Sequence, residues 1–321
     1  MKIARELYPE IEIAVFRHKT GKICPKEANF VFSNISDAKK FNPDIVVISN
    51  PASKHIEVAK VFAQVGAHLF IEKPLSISSE GVLDLLKMCN EKNVKLITGY
   101  NLRFSKSLRK FKSLVDQGYI GDIWTIRCEV GHYLPYWRKT DDYTKSVTAK
   151  RDLGGGVLLE LSHEIDYINW IFGKILWVQG HLSNQSNLKM DVEDSANLIF
   201  GLSGKKSGRI ITAALNMDCI RRDRTRVCIV IGESGSLKWD GVRNCVESWS
   251  NDSKEWEEVY CDISSIDETY YSEWADFISA IDNNRDPLVN GEEALKVLNI
   301  IEASKKSSDD RKLIDVEYLK Y

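Results

Sequence analysis

The sequence predicts two units of different kind. The first is an α/β doubly wound parallel sheet, and the second is an α+β unit built on a mainly antiparallel open sheet with helices on one face. Three observations carry this. Short apolar runs alternate with helical stretches over the first hundred residues, period-two alternation takes over after about residue 122, and helical segments then return only at 157–172, near 270–282 and at 291–305. The units are expected at 1–103 and 104–321.

Ile11 to Phe16 reads as a strand, as do IVVIS (45–49), HLFI (68–71) and VKLITG (94–99). KHIEVAKVFAQVG (54–66), closed by Gly66, and SSEGVLDLLKMCNEKN (78–93) read as helices between them. Strands separated by helices pair in parallel through crossovers. In IWTIRCEVGHYL, Trp124, Ile126, Cys128 and Val130 fall on one side and Thr125, Arg127 and Glu129 on the other, so one face is buried and one is wet. NLIFGLSGKKSGRIITAAL is expected to form a hairpin around Ser203 to Gly208. RVCIVIGESGSLKWD and VESWSNDSKEWEEVY repeat the pattern around Gly-Ser and Asn-Asp-Ser turns, and KLIDVEYL supplies a last strand.

The 321 residues are 43% hydrophobic and 28% charged, with a formal net charge of −2. A nucleic-acid backbone binder needs a strong basic excess, so that partner class is not expected. No apolar run approaches the ~20 residues that span a bilayer, and the start, MKIARELYPEIEIAVF, lacks a signal-peptide layout. The seven cysteines are odd in number, scattered and never spaced C-x-x-C. Neither a metal site nor a disulfide framework is expected, and a reducing cytoplasm fits.

In open parallel sheets, ligands gather beyond the C-terminal strand ends. Three such ends carry polar residues here: Asn50, Pro51 and His55 after the first, Glu72 and Lys73 after the second, and Tyr100, Asn101 and Arg103 after the third. A second constellation is DLGGGVLLELSHEIDYINWIFG (152–173). Leu158, Leu161, Ile165, Ile168 and Phe172 form a core stripe, while Glu160, His163, Tyr167 and Trp170 share the other face. Trp170 there suggests a covered cleft. Glu160, three residues before His163, can hold and polarise the imidazole, and Asp166 is a second candidate.

EKP after a strand, GYNLRF after the next, and GGG before a helix bearing His and then Asp together resemble the Gfo/Idh/MocA family, the glucose–fructose oxidoreductase and inositol dehydrogenase group. The resemblance extends over nearly the whole chain, including EALKVLNIIEASKKSS near its end. It implies a Rossmann-type first domain and an NAD(P)-dependent dehydrogenase or reductase acting on sugars, cyclitols or their derivatives. It also implies a cis Lys73–Pro74 bond, His163 as the proton-transferring base, Lys73 as hydrogen-bond donor to the reacting oxygen, and Glu160 as the group that orients His163. The family's acid usually stands four residues before the His; that position is Leu159 here, and the acid is Glu160. Tyr100, Asn101 and Arg103 match positions near the interdomain cleft. HYLPYWRKTDDY is expected to line the sugar pocket through Tyr133, Tyr136, Arg138 and Tyr143, with Asp166 on the substrate side.

The family's first strand and G-x-G-x-x-G turn are not found in these residues. The chain opens in what reads as the last turns of the following helix. Two expectations follow: DNA immediately upstream encodes the strand and turn, or the scaffold serves as a sugar-binding or assembly protein without conventional dinucleotide binding. The strand IEIAVF is followed by Arg17-His18-Lys19 with no acid nearby, which favours NADP over NAD, with Arg17 on adenine or phosphate. A wet sheet face carrying several tryptophans makes a homodimer or homotetramer the expected assembly.

Overall fold

The alternating strands and helices of the first unit fold as parallel layers in the computed structural model, which describes residues 1–17, 24–137, 142–204 and 208–320. After helix α1 (Lys2–Leu7), strands β1 (Ala14–Phe16) and β2 (Phe30–Phe32) pair in parallel. Strands β3 (Ile45–Ile48), β4 (His68–Ile71) and β5 (Leu96–Thr98) form a second parallel sheet in that order. Helices α2 (Ile35–Lys40), α3 (His55–Ala63) and α4 (Val82–Glu91) make the crossovers. Asn34 starts α2 by accepting the Asp37 N–H at 2.8 Å, and the turn after α3 closes at Gly66 with φ +88°.

The strand expected from Ile11 begins only at Ala14. The Asn29 side chain takes the Ile13 N–H at 2.9 Å, replacing a ladder partner with a side-chain one. The usual doubly wound order places two strands on one side of the first strand and three on the other. The pair β2–β1 and the triplet β3–β4–β5 correspond to those flanks, and among the described residues no hydrogen bond of a ladder joins β1 to β3. Val47 on β3 is accordingly 50% exposed, where an inner strand of a covered sheet is apolar and buried.

Helix α5 (Lys106–Gln117), capped by Ser105 and ended by Gly118 at φ +75°, leads into the second unit. Its strands are β6 (Ile123–Gly131), β7 (Ile175–Ser183), β8 (Ser195–Ser203), β9 (Ile210–Asp218), β10 (Thr225–Gly232), β11 (Gly235–Asp240), β12 (Cys245–Ser250), β13 (Trp256–Cys261) and β14 (Ile314–Asp315). They form one sheet in the order β13-β12-β11-β10-β6-β9-β8-β7-β14, antiparallel except for β6 with β9. Helices α6 (Val157–Glu160), α7 (His163–Phe172), α8 (Asp267–Asp282) and α9 (Gly291–Asp310) complete the chain. Ile126, Cys128, Val130, Phe200 and Leu215 are buried, while Arg127, Glu129, Asn197 and Asn216 lie on the open face. No helix among the described residues is long and apolar enough to cross a membrane.

Three expectations need correction, and that of several tryptophans on the open face is met. The helix at 157–172 is broken: Ser162 and Glu164 N–H reach back only three residues, to Leu159 and Leu161, so a tight turn separates α6 from α7. Trp124 shares the parity of the buried side yet is 59% exposed, because it sits at the strand's start where the register with β10 shifts. The tryptophans are divided: Trp239 is buried against Tyr167, while Trp177, Trp249 and Trp256 share the open face with Arg127 and Asn197, Trp177 lying over Gly201 where any Cβ would come within 2.1 Å of the indole. Cys245 and Cys261 stand opposite each other across β12 and β13 and are disulfide-bonded; the hairpin brings together two cysteines 16 residues apart.

Candidate active site

Lys73 is the second residue after β4, and its peptide bond to Pro74 is cis. His55 braces the neighbouring turns. Its Nε2 lies 2.8 Å from the Asn50 carbonyl and its Nδ1 3.0 Å from that of Pro74, so the buried ring ties the ends of β3 and β4 together. Asn50 is exposed and Pro51 half-buried at the rim. Glu72 packs close to Gly99, where a Cβ would meet its Oε2 at 3.1 Å. Burial raises the Glu72 carboxyl above the usual range, with Lys73 opposing the shift.

The Lys73 ammonium donates to the Glu160 carbonyl at 2.7 Å, and the Glu160 carboxylate stands 4.0 Å away. The break between α6 and α7 removes the helical spacing that was expected to join Glu160 to His163, and no hydrogen bond connects them among the described residues. His163 opens α7 with its ring edge-on to Tyr100 at 5.5 Å. Its Nδ1 is buried without a hydrogen-bond partner. Burial, then the charges of Lys73 and Arg226, holds the imidazole well below its ordinary pKa. The ring is therefore neutral at pH 7 and able to accept a proton. A buried, unpaired nitrogen beside an ammonium is costly to desolvate, and a substrate hydroxyl bound there would satisfy it.

Several expected site residues are occupied in holding this arrangement. Tyr100 is fully buried and donates its hydroxyl to Ser162 Oγ at 3.2 Å, bracing the turn before His163. Asn101 donates to Thr269 Oγ1 at 2.8 Å, linking the end of β5 to α8. Arg103 and Asp166 form a buried fork, with Nε 3.0 and 3.1 Å from the two carboxylate oxygens and Nη2 2.7 Å from Oδ1, and Nη2 also reaches Glu293 on α9 at 3.0 Å. Tyr167 is buried against Trp239 instead of sharing a face with His163. Trp170 is covered by Arg103 and Lys112, at 5.4 and 5.3 Å from its ring, and not by a cleft.

After β6, Tyr133 and Tyr136 meet edge to face at 4.9 Å. Arg222 lies 4.2 Å over the Tyr133 ring and donates to the Tyr136 hydroxyl at 3.1 Å. The Tyr143 hydroxyl accepts the Lys189 N–H at 3.2 Å. Arg17 is exposed at the end of β1. Arg138, His18 and Lys19 lie outside the described residues. Sequence reasoning missed Arg226, whose Nε donates at 2.7 Å to the fully buried Glu164, the neighbour of His163 in the chain. The one available signal was the run RRDRTR (221–226) before a strand, which belongs to no motif.

Residues 13–100 match the family model for the NAD-binding Rossmann fold of the Gfo/Idh/MocA oxidoreductases, and residues 112–316 match that for their C-terminal alpha/beta domain. The chain belongs to the Gfo/Idh/MocA oxidoreductase family. It is similar to the myo-inositol 2-dehydrogenase of Thermotoga maritima, 24% identical over 283 residues, 86% of this chain and 80% of that protein. An uncharacterised oxidoreductase of Synechocystis is 30% identical over 145 residues, but the match spans only 38% of its length and 44% of this chain. Among solved structures, a levoglucosan dehydrogenase in complex with NADH superposes with a TM-score of 0.83 at 18% identity, covering 96% of this chain and 91% of that one, which shows the shared fold.

Proposed function

We propose that this Gfo/Idh/MocA chain is built to transfer a hydride between a nicotinamide cofactor and a hydroxyl or keto carbon of a sugar, cyclitol or sugar derivative. The observation that carries the reading is the unpaired, buried Nδ1 of His163 close to the Lys73 ammonium. The nicotinamide end of a dinucleotide fits the rim made by Lys73 and the ends of β3 and β4, with Asn50, Pro51, Glu72 and Lys73 as its neighbours and Asn101 and His55 bracing the turns. The cofactor, when bound, supplies or accepts the hydride. Lys73 hydrogen-bonds the reacting oxygen and stabilises its developing negative charge. His163 takes the hydroxyl proton in oxidation and returns it in reduction. Glu160 holds the Lys73 ammonium through its carbonyl and its nearby carboxylate. Support for the substrate class comes from the inositol and levoglucosan dehydrogenases to which the chain is similar. The domain limits 1–103 and 104–321, a cytoplasmic setting and a homodimer or homotetramer are part of the same proposal.

A specific observation also favours the second reading, a sugar-binding or assembly role without catalysis. No G-x-G-x-x-G occurs in the 321 residues, and β1 and β3 are not joined by a ladder among the described residues. Titrating NADH and NADPH against this chain and against an N-terminally extended form separates the two. Binding by the extended form, with turnover of a polyol or sugar, supports the enzyme; binding by neither supports the second reading.

The preferred cofactor is proposed to be NADPH, because the residue after β1 is Arg17 and no acid stands there to repel a 2′-phosphate. Arg17→Asp is expected to lower the NADPH to NADH preference of the active form by about tenfold, as expected for one charge-assisted contact. Equal activity with both cofactors, unchanged by the substitution, makes Arg17 a surface residue.

The depressed pKa of His163 sets a pH dependence. The neutral base is lost only as pH falls through the folded pKa, which lies well below 6.5. In the oxidative direction kcat/KM is therefore expected to stay level from pH 8 down past 6.5, with its acid limb lower still. A limb at or above pH 6.5 removes His163 as the base.

A further inference from the structure

The stretch that ends the β9–β10 connection and begins β10 carries four arginines in six residues, Arg221, Arg222, Arg224 and Arg226, and the last of them pairs with Glu164, the neighbour of His163 in the chain. Its backbone is fixed. Asp218 Oδ1 accepts the N–H groups of Ile220 and Arg221 at 2.9 and 2.7 Å, and Leu134 N–H donates to the Cys219 carbonyl at 2.9 Å. Gly131 permits this close approach, since a Cβ there would stand 2.8 Å from Arg221 Cβ and 2.9 Å from Asp218 Oδ2.

Two of the four guanidiniums are matched to carboxylates. Arg221 pairs with Glu129 and Asp223, and Arg226 pairs with Glu164. Arg222 has a tyrosine hydroxyl and an aromatic face but no carboxylate partner among the described residues. Arg224 is exposed and has no hydrogen-bond or ion-pair partner among them.

Chain geometry bounds the position of Arg224. It stands one residue before β10 and two before Arg226, so the two Cα atoms are at most about 7 Å apart. His132 follows Gly131, the last residue of β6, which pairs with Thr225. The His132 imidazole is held by stacking on Trp137 at 5.8 Å, and it feels the charges of both Arg224 and Arg226. Arg226 thus ties this stretch to Glu164, the neighbour of His163 in the chain, and Arg224 and His132 stand next to the Thr225–Gly131 pair. Arg222 covers the Tyr133 ring and reaches the Tyr136 hydroxyl.

We propose that Arg224, assisted by Arg222, forms a subsite for an oxyanion carried by the sugar, a carboxylate or a phosphate, so that the substrate is an acidic sugar and not a neutral one. A planar guanidinium with free N–H groups offers a fork matched to either oxyanion, and the flanking tyrosines suit the ring's hydroxyls. The placement rests on the dehydrogenase reading of His163 and Lys73; the recognition of the anion does not.

The test is calorimetric titration of D-glucuronate, D-glucose 6-phosphate and D-glucose against the 321-residue chain and its Arg224→Gln and Arg224→Lys forms, with turnover measured separately in the presence of NADH or NADPH. The chain is expected to bind at least one acidic sugar about tenfold or more tighter than glucose. Arg224→Gln should erase that margin, and Arg224→Lys should restore part of it. The tighter acidic sugar identifies the oxyanion. Absence of any margin, or a margin unchanged in Arg224→Gln, overturns the subsite. A margin that depends on Arg224, with no turnover in any form able to bind dinucleotide, upholds the subsite and overturns the dehydrogenase reading alone.

Discussion

Lys73→Ala and His163→Ala, each made in a form that binds dinucleotide, are expected to lower turnover by about 10² or more while leaving the fold intact. The two halves of that expectation have separate causes. Under the proposed mechanism, turnover falls because the ammonium is the donor to the reacting oxygen and the neutral His163 ring, with its unpaired Nδ1, is the base. The fold survives because neither side chain holds a load. Lys73 is 20% exposed and donates to a single carbonyl, that of Glu160, and His163 Nδ1 forms no internal hydrogen bond that truncation could break. Steady-state rates with NADH or NADPH, set beside thermal melts of the same variants, check both halves. Normal turnover in either variant takes that residue out of the mechanism. A collapsed melt in either shows that the side chain supports the turn between α6 and α7.

What the sequence made legible follows from which forces act locally. The strand and helix alternation, the period-two pattern of β6 and the hairpins of the second sheet are set by side-chain periodicity, and they are found at the expected places. Lys73 was legible because a strand end and a proline announce it. Its contact with Glu160 was not, because that depends on a break in a segment whose apolar spacing reads as one continuous helix. The core stripe itself, Leu158, Leu161, Ile165, Ile168 and Phe172, is buried as expected, since the break leaves the stripe facing the same way. Polar residues were harder to read. Arg103, Asn101, Tyr100 and Asp166 stand beside motif positions and have tips suited to ligands, yet each is held by a partner from a distant segment: Asp166 and Glu293, Thr269, Ser162, and Arg103 respectively. Such pairings span 62 to 190 residues and leave no trace in local spacing. The disulfide between Cys245 and Cys261 escaped for a related reason, since it depends on the register of one hairpin rather than on a spacing rule.

The largest expected effect on stability lies at Arg103. Its guanidinium and the Asp166 carboxylate are each about 1% exposed, and the fork between them is extended to Glu293, so one cation joins the segment after β5 to α7 and α9. Taking two charges out of water is expensive, and their attraction and hydrogen bonds offset that cost only while both are present. Arg103→Ala leaves Asp166 buried beside a cavity with no countercharge, and this is expected to cost about 3–5 kcal/mol in denaturant unfolding. Arg103→Lys keeps the charge but loses the two-pronged geometry, so it should fall between the variant and the parent. The double replacement Arg103→Met with Asp166→Leu removes both charges and refills the space. It is therefore expected to be milder than Arg103→Ala alone, the sign of coupling that a buried pair produces and a surface pair does not. Because Asp166 sits one turn beyond His163 on α7, loss of its partner should also loosen the helix that presents the imidazole. The milder double variant should then recover more turnover than Arg103→Ala retains. A cost below about 1 kcal/mol for Arg103→Ala, in the range of exposed ion pairs, would show that water reaches the pair and that the three elements are held by their apolar contacts instead.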